Sequence, residues 1–133
     1  EVDDRFKNVL NDTNNYLMVQ PFVKEIDSGE LSVVVIDNKV SHIVVRNTSV
    51  FNDKGSIMVL GMETMDDRMK YIVDNCLKIK EYSSALYMRV DLVKIDDDYK
   101  VMELELVEPQ LFMGFRKTEK QLVNFAKVIR EKI

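Results

Sequence analysis

The segment from Tyr87 to Leu106 constrains the fold more than any other part of the chain, because two runs of alternating charged and apolar residues flank the acidic stretch "DDD" at 96–98. Alternation with a period of two is the pattern of a half-buried β-strand, whose successive side chains point to opposite faces of a sheet. Aspartates are common in tight turns. The segment therefore predicts an antiparallel β-hairpin with one apolar face and one charged face.

The register of this hairpin follows from its two faces. A turn centred on Asp97 places Asp91 opposite Glu103 and Arg89 opposite Glu105. A slip of one residue would move these charges onto the apolar face, so the pattern favours this register. The residues predicted to share the core face are Val90, Leu92, Met102 and Leu104.

The charged face of the hairpin carries groups that can bind a metal and a phosphate. Arg89 and Glu105 are predicted to form an ordinary cross-strand ion pair. Asp91 and Glu103, in contrast, set two like charges opposite each other, which destabilises a sheet. A divalent cation such as Mg²⁺, which prefers oxygen ligands, would remove that cost, and Arg89 beside it could hold a transferring phosphoryl group. The spacing alone equally permits a charged face that is simply solvated.

The other strands are predicted from apolar and β-branched runs at 16–22, 30–37, 39–46 and 57–60. The first of these is interpreted as a buried strand that runs into a connection containing proline. The residues "DNK" between the second and third runs predict a tight hairpin, and "DSG" at 27–29 predicts a turn.

Helical periodicity appears in three segments. Residues 2–10 predict a short amphipathic helix, and a second helix is predicted after an N-cap at Thr64. A third is predicted to open with the capping-box pattern formed by Thr118 and Gln121. This order of elements predicts an α+β fold, with a mainly antiparallel sheet and flanking helices. The predicted apolar stripes are Met65, Met69, Ile72, Val73, Cys76 and Ile79 for the second helix, and Leu122, Phe125, Ala126, Ile129 and Ile133 for the third.

Composition narrows the class of protein. The chain has 133 residues, of which 46% are hydrophobic, which suits a single domain over residues 1–133. A net charge of −4 and a pI of about 5.1 argue against nucleic acid as a partner. Cys76 is the only cysteine, which excludes an intrachain disulfide and indicates a reducing, cytoplasmic location. Since no apolar run reaches the roughly 18 residues of a membrane-spanning helix, we expect no membrane partner.

The hairpin resembles the metal-binding end of the ATP-grasp superfamily, in the C-terminal lobe of its carboxylate–amine ligases. There, a strand with Arg-x-Asp precedes a strand with Glu-x-Asn. In a glutathione-synthetase-like branch that includes the cycloserine-forming ligase, the second strand ends in Glu-x-Glu followed by Glu-Pro. The likeness runs over about residues 16–112 and includes a hinge and hairpin at 19–46. The residues at the motif positions are Arg89, Asp91, Glu103, Glu105, Glu108 and Pro109.

The resemblance implies a nucleotide site at the hinge. Phe22 and Val23, just after Gln20, fall at the positions whose backbone groups contact adenine in this family. Glu30 matches the acidic residue that binds ribose hydroxyls. Arg46 falls where a basic residue faces the phosphates or the acceptor substrate.

The resemblance also implies a reaction. Asp91, Glu103 and Glu105 would be ligands of two Mg²⁺ ions, with Mn²⁺ as a possible substitute, and Arg89 would stabilise the transferring phosphoryl group. ATP would phosphorylate a small carboxylate substrate to an acylphosphate, and an amine-type nucleophile would then displace phosphate. The implied function is that of an ATP-dependent carboxylate–amine ligase.

Departures from the family pattern add further expectations. Ser32 stands where glutathione synthetases have an arginine, which predicts a different acceptor substrate. The lobe that supplies phosphate-binding lysines in this family does not precede the hinge here, so we expect the chain by itself to be inactive. We also expect an uncovered hinge strand to permit a homo-oligomer.

His42 is interpreted as a packed or surface histidine. The alternatives are a non-catalytic nucleotide-binding or interaction module with this fold, and an unrelated α+β domain.

Overall fold

The computed structural model describes Lys7 and residues 19–47, 56–60 and 64–132. Within these ranges the strands are β1 (Glu30–Ile36), β2 (Lys39–Asn47), β3 (Ser56–Leu60), β4 (Tyr87–Ile95) and β5 (Asp98–Glu105), and the helices of more than one described residue are α1 (Asp67–Leu77) and α2 (Glu119–Lys132). The predicted α+β architecture is confirmed, because these five strands form one fully antiparallel sheet in the order β3-β2-β1-β4-β5, which α1 and α2 flank. Short 3-10 helices span Lys24–Ser28 and Arg116–Thr118.

Both hairpins have two-residue turns built on aspartate and asparagine. Asp37 and Asn38, with φ of 49° and 60°, connect β1 to β2, and Asp96, with φ of 55°, begins the turn between β4 and β5. Left-handed backbone matches the twist of a tight hairpin, and these two residue types tolerate it better than other non-glycine residues. The predicted tight hairpin at "DNK" is therefore confirmed.

Each hairpin also contains one β-bulge, in which a residue has no partner in the adjacent strand. In β5 the unpaired residue is Met102, between the pairs Leu92–Val101 and Asp91–Glu103. The predicted pairing of Asp91 with Glu103 is confirmed, as is that of Arg89 with Glu105. The predicted turn centre is wrong, since the turn consists of Asp96 and Asp97, and the extra residue that restores the register is the bulge.

The bulge in β2 is at Ser41, between the pairs Val35–Val40 and Val34–His42. Because side chains alternate along a strand, one unpaired residue changes which face every later side chain takes relative to the partner strand. The bulge thereby places His42 on the same face of the sheet as Val34, and it sets Arg46 directly opposite Glu30.

The sheet is packed on both faces. On one face, side chains of β1, β2 and β4 pack with α1, and on the other, side chains of β1 and β2 pack with residues 111–113 and α2. Tyr87 meets Phe125 of α2 edge to face, with ring centroids 5.9 Å apart. The buried residues of the first cluster include Val33, Val35, Ile43, Val90, Leu92, Met69 and Val73, and those of the second are Val34, Ile36, Val44 and Phe112.

The caps of both helices differ from the sequence prediction, although α2 begins at Glu119, directly after the predicted cap residue. The N-cap of α1 is Asp66 rather than Thr64, because Asp66 Oδ1 accepts a hydrogen bond from the Met69 amide at 2.7 Å. The predicted capping box at Thr118 is wrong, because Gln121 Oε1 accepts no hydrogen bond among the described residues and the Thr118 amide donates to the Phe115 carbonyl. The buried Thr118 hydroxyl shares its single proton between the carbonyl oxygens of Phe115 at 2.7 Å and Phe112 at 3.1 Å. The α2 stripe is also only partly confirmed. Phe125 packs against the sheet, but its neighbour there is Val128, which was not predicted, and Leu122 and Ala126 are exposed.

The hinge region is not the predicted buried strand where it is described. Residues 19–23 have no regular secondary structure, and the side chains of Val19 and Phe22 are largely exposed, at 69% and 59%. Pro21 lacks the amide hydrogen that a ladder needs. No strand within the described ranges pairs with this stretch. Residues 16–18 and most of the helix predicted at 2–10 lie outside the described residues, although Lys7 is helical.

A candidate active site on the charged end of the sheet

The centre of the site is the carboxylate of Asp91, which is fully buried and saturated with donors. Its Oδ1 accepts from Ser32 Oγ at 2.7 Å and from Arg89 Nε at 2.9 Å. Its Oδ2 accepts from Arg89 Nη2 and Arg46 Nη2, both at 2.8 Å. A carboxylate offers about four lone-pair directions, so these four bonds use its whole capacity.

Arg46 extends this cluster to the start of β1. Its Nη2 also donates to Glu30 Oε2 at 2.7 Å, and its Nε donates to Ser32 Oγ at 2.8 Å. The Ser32 hydroxyl therefore accepts from the guanidinium and donates to Asp91, which aligns both groups. Two guanidiniums and two carboxylates from three adjacent strands form one hydrogen-bonded group, which we call the arginine–carboxylate cluster.

The protonation of the cluster follows from burial and its ion pairs. Burial raises the pKa of Glu30, and the adjacent Arg46 guanidinium partly offsets this effect. For Arg89, burial is the largest single influence and lowers the pKa. The hydrogen bonds and the charge of Asp91, together with the charges of Glu103 and Glu105, outweigh it, so the pKa of Arg89 lies above its ordinary value. Arg89 is consequently a permanently charged donor in a dry part of the site.

The remaining predicted ligands lie at the edge strand. The Glu103 side chain is 56% exposed, and its Oε2 is 3.6 Å from Arg89 Nη2. Glu105 Oε1 accepts from the backbone amides of Val107 and Glu108 at 3.2 and 3.5 Å. The hydrogen bonds of Arg89 thus go to Asp91 rather than to Glu105, its predicted partner, because Asp91 lies on the same strand within reach of its Nε.

The donor types at this site suit a hard divalent cation, but their arrangement is not yet that of a metal site. Carboxylate oxygens are the protein ligands that Mg²⁺ prefers. In the part of the chain that the structure describes, no three His, Cys, Asp or Glu side chains are grouped to hold an ion. The oxygens of Asp91 accept from guanidiniums, and Glu105 accepts from two backbone amides. The exposed Glu103 carboxylate suits such an ion by its chemistry, whereas Asp91 would first have to release an arginine.

The predicted nucleotide-binding residues precede this cluster along the chain. Gln20 and Phe22 are exposed, and Val23 is half-buried. The Val23 carbonyl accepts from the Ile26 amide at 3.2 Å, which begins the 3-10 helix that leads to Glu30. The structure thus brings Glu30 together with Arg46, Arg89 and Asp91, and leaves the hinge side chains open on the surface.

Two polar residues have a more specific role than the sequence predicted. Ser32 connects Arg46 to Asp91, and the signal for it was a lone hydroxyl in the apolar run "LSVVVI". His42 is 2% exposed, and its Nε2 lies 2.9 Å from the Leu111 carbonyl oxygen. Because a carbonyl can only accept, Nε2 carries the proton, and Nδ1 accepts from Ser41 Oγ at 3.1 Å.

His42 leads to a prediction about pH. Burial lowers its pKa in the folded state below the ordinary value of 6.5, and the bond to Leu111 only partly opposes this. The unfolded chain therefore binds more protons just below pH 6.5, so the free energy of unfolding should fall as the pH drops from 6.5 towards the folded-state pKa. Urea unfolding of the wild type and of His42→Gln across this window should show the fall only in the wild type. Parallel pH profiles would contradict the prediction.

Comparison with known proteins places the chain in a family. The model of the RimK-like ATP-grasp domain matches residues 1–133, the whole chain. The chain belongs to the RimK-like ATP-grasp family. This finding excludes the alternative of an unrelated α+β domain. None of the curated proteins searched matches the chain.

Solved structures of ATP-grasp ligases share the fold of this RimK-like domain. The ligase PsnB in complex with a minimal precursor is similar with a TM-score of 0.53 and 19% identity, over 79% of this chain and 35% of that one. PsnB with a phosphomimetic precursor variant, Mg and ADP gives 0.50 and 17%, over 79% and 33%. D-alanine–D-alanine ligase from Bacillus anthracis gives 0.50 and 18%, over 77% and 38%. The chain thus spans roughly a third of the ligases it matches.

No helix among the described residues is long and apolar enough to cross a membrane.

Proposed function

We propose that this RimK-like domain is the ATP-binding and magnesium-binding lobe of an ATP-dependent carboxylate–amine ligase. The observation that carries the proposal is the arginine–carboxylate cluster, in which Arg46 and Arg89 converge on Asp91 next to the exposed Glu103. Cations and oxygen ligands at one end of a sheet are the groups that bind a metal–polyphosphate. Membership of the ATP-grasp family gives this arrangement its functional meaning.

The proposed reaction has two steps. The γ-phosphoryl group of ATP moves to a carboxylate oxygen of the substrate, which forms an acylphosphate and leaves ADP. The nitrogen of an amine-type substrate then bonds to the acyl carbon while phosphate leaves and the amine loses a proton. Such a reaction needs orientation and positive charge around the phosphoryl oxygens rather than a protein nucleophile. Bound magnesium supplies part of that charge.

Arg89 and Arg46 have different roles in this proposal. The Arg89 side chain is only 8% exposed and makes its hydrogen bonds to Asp91, so it provides a fixed positive charge for the transferring phosphoryl group. The Arg46 side chain is 20% exposed and bonds to three partners in the free domain. A phosphate group would compete with Asp91 for its guanidinium, because Arg–phosphate bonds are equally charge-assisted. Release of Arg46 would free an oxygen of Asp91 as a ligand alongside Glu103 and Glu105.

The hinge supplies the proposed site for the rest of the nucleotide. Backbone groups of Phe22 and Val23, just after Gln20, are proposed to contact adenine; Gln20 and Phe22 are exposed, and Val23 is half-buried. Glu30, at the start of β1, is proposed to bind the ribose hydroxyls, for which it would share or release Arg46. We further propose the glutathione-synthetase-like branch, with a small carboxylate and an amine-type acceptor as substrates.

Titration of the full-length chain with Mg–ADP tests the proposed site. We expect Glu103→Gln to weaken binding by about tenfold or more, because loss of a charged ligand costs at least as much as loss of a group that supports a ligand. The matched control is Asp74→Asn on α1, a surface carboxylate that pairs with Lys70 and should leave affinity unchanged. Equal affinities of the wild type and Glu103→Gln would contradict the assignment of the metal–phosphate site to β5.

A non-catalytic module is the second candidate function, and one observation favours it. Both arginines direct hydrogen bonds to Asp91, so the charge of this carboxylate is paired by groups of the domain itself. Because this chain by itself is expected to be inactive, the two are separated by phosphate release from ATP by the longer ligase that would contain this lobe, in the presence of Mg²⁺, amines and a panel of small carboxylates. Substrate-dependent phosphate release supports the ligase, whereas Mg–ADP binding without any turnover supports the module.

A further inference from the structure

Residues 106–115 cross the face of the sheet that carries the arginine–carboxylate cluster. The segment starts at the end of the edge strand β5, and its residue Phe112 packs against Val34, Ile36 and Val44. These three residues belong to β1 and β2, on the far side of β4. The segment, which we call the crossing segment, therefore passes over the sheet beside the buried Arg89.

Three side chains hold the crossing segment in place. At its start, the Glu105 carboxylate accepts from the Val107 and Glu108 amides. In its middle, the Leu111 carbonyl accepts from His42 Nε2 at 2.9 Å, a bond between residues 69 positions apart in the chain. Next to it, the Phe112 carbonyl accepts from Thr118 Oγ1 at 3.1 Å. Of the three, only the His42 bond reaches the segment from the far side of the sheet, since Glu105 ends β5, from which the segment starts, and Thr118 lies after the segment.

We propose that His42 is a positioning residue for the carboxylate of Glu105. Its bond to the Leu111 carbonyl holds the first half of the crossing segment, and the Val107 and Glu108 amides in turn orient Glu105 at the edge of the site. The proposal rests on the proposed function in one respect, namely that Glu105 is a ligand for the metal–nucleotide.

The position of His42 is suited to this task. The bulge at Ser41 places the imidazole on the same face as Arg89 and Glu105, in the row of cross-strand neighbours that also contains Val34. The ring is buried, and both of its nitrogens are engaged, one by Ser41 and one by Leu111. A buried ring fixed at both nitrogens is a rigid donor, and supporting donors of this kind typically govern the affinity of a metal ligand.

Two substitutions separate positioning from simple packing. In His42→Gln, the side-chain amide nitrogen reaches about as far as Nε2 and can still donate to Leu111. In His42→Asn, the amide nitrogen ends near the place of Nδ1 and cannot reach that carbonyl. Both variants remove the ring, so both should lower stability to a similar degree, but only His42→Asn removes the bond to the crossing segment.

The experiment uses the full-length chain and two readouts. The first is hydrogen exchange of the Val107 and Glu108 amides without nucleotide, and the second is the affinity for Mg–ADP by calorimetry. We expect His42→Asn to speed exchange at both amides and to weaken Mg–ADP binding by about tenfold, while His42→Gln stays close to the wild type. Glu103→Gln is the control for the site, because it should weaken binding without changing exchange at either amide.

The outcomes distinguish this inference from the proposed function. If His42→Asn leaves amide exchange unchanged, or if both variants change affinity equally, His42 is only a packing residue and the inference is overturned. If the wild type itself does not bind Mg–ADP, the proposed function fails, and with it the role of Glu105 as a ligand. In that case, hydrogen exchange of the Val107 and Glu108 amides in His42→Asn, compared with the wild type, still decides whether His42 holds the crossing segment.

Discussion

Asp91→Asn is expected to lower the free energy of unfolding by about 3–5 kcal/mol, because it leaves two guanidiniums facing a buried neutral amide. The Asp91 side chain is fully buried, and that of Arg89 is 8% exposed, so water cannot replace the lost charge. The amide also presents a donor towards groups that can only donate. The measurement is equilibrium unfolding in urea at neutral pH, compared with the wild type.

The control for this prediction is Asp74→Asn, which breaks an exposed ion pair on α1 and should leave stability close to that of the wild type. A second variant tests the electrostatic cause. Replacement of Arg89 by methionine in the Asp91→Asn background removes the uncompensated charge and should recover part of the loss, since an apolar residue tolerates burial where a lone cation does not. A double variant that is less stable than Asp91→Asn alone would show that packing, not charge, dominates at this position.

Phe112→Ala should have an effect of similar size, about 3–5 kcal/mol, because it removes a buried ring from the cluster that joins the crossing segment to the sheet. Phe112 is 3% exposed and contacts the same apolar group as Val34 and Ile36. Its φ of 54° also places it in the left-handed region, which strains any residue with a Cβ. Urea unfolding again provides the measurement.

The left-handed backbone allows a sharper test with glycine. Phe112→Gly should be more stable than Phe112→Ala by about 0.5–1 kcal/mol, because glycine adopts a positive φ without strain and this gain exceeds its larger loss of entropy. At Phe125, which contacts the same cluster from within the helix α2, the order should reverse, since glycine destabilises a helix relative to alanine. The same order at both positions would contradict a strained backbone at Phe112.

The charged hairpin shows how far a local pattern predicts structure. The alternation in β4 and β5 was sufficient to pair Asp91 with Glu103 and Arg89 with Glu105, because an alternative register would bury charge on the α1 side. The predicted turn centre at Asp97 lies half a residue beyond the observed centre between Asp96 and Asp97. The pairs beyond the bulge are nevertheless correct, because a two-residue turn with a bulge at Met102 produces the same pairs as a longer turn. Local pattern thus constrains which side chains face each other better than it constrains the backbone between them.

The hydrogen-bond partners of several polar side chains could not be predicted from the sequence. Nothing in the neighbourhood of Thr118 indicates that the Phe112 carbonyl will take its hydroxyl in place of a helix amide. Nor does the sequence near Asp91 indicate that Ser32 and Arg46 will use its oxygens. Which of several local patterns a side chain adopts is decided by the whole fold, even where a buried group such as Gln121 Oε1 then has no hydrogen-bond partner among the described residues.

The sequence by itself determined the approximate positions of β1 to β5 and of α1 and α2, the face on which the charges lie, and the family to which the hairpin motif pointed, because these depend on periodicity and on residue types at short spacing. Tertiary structure decided that the charged face is partly dry. With β1 lying between β2 and β4, Ser32 and Arg46 reach Asp91, and the crossing segment covers the adjoining apolar half. A buried charge must be paired, and the buried carboxylate of Asp91 is paired with arginines. Because these groups come from three adjacent strands, their pairing depends on the order of the strands in the sheet.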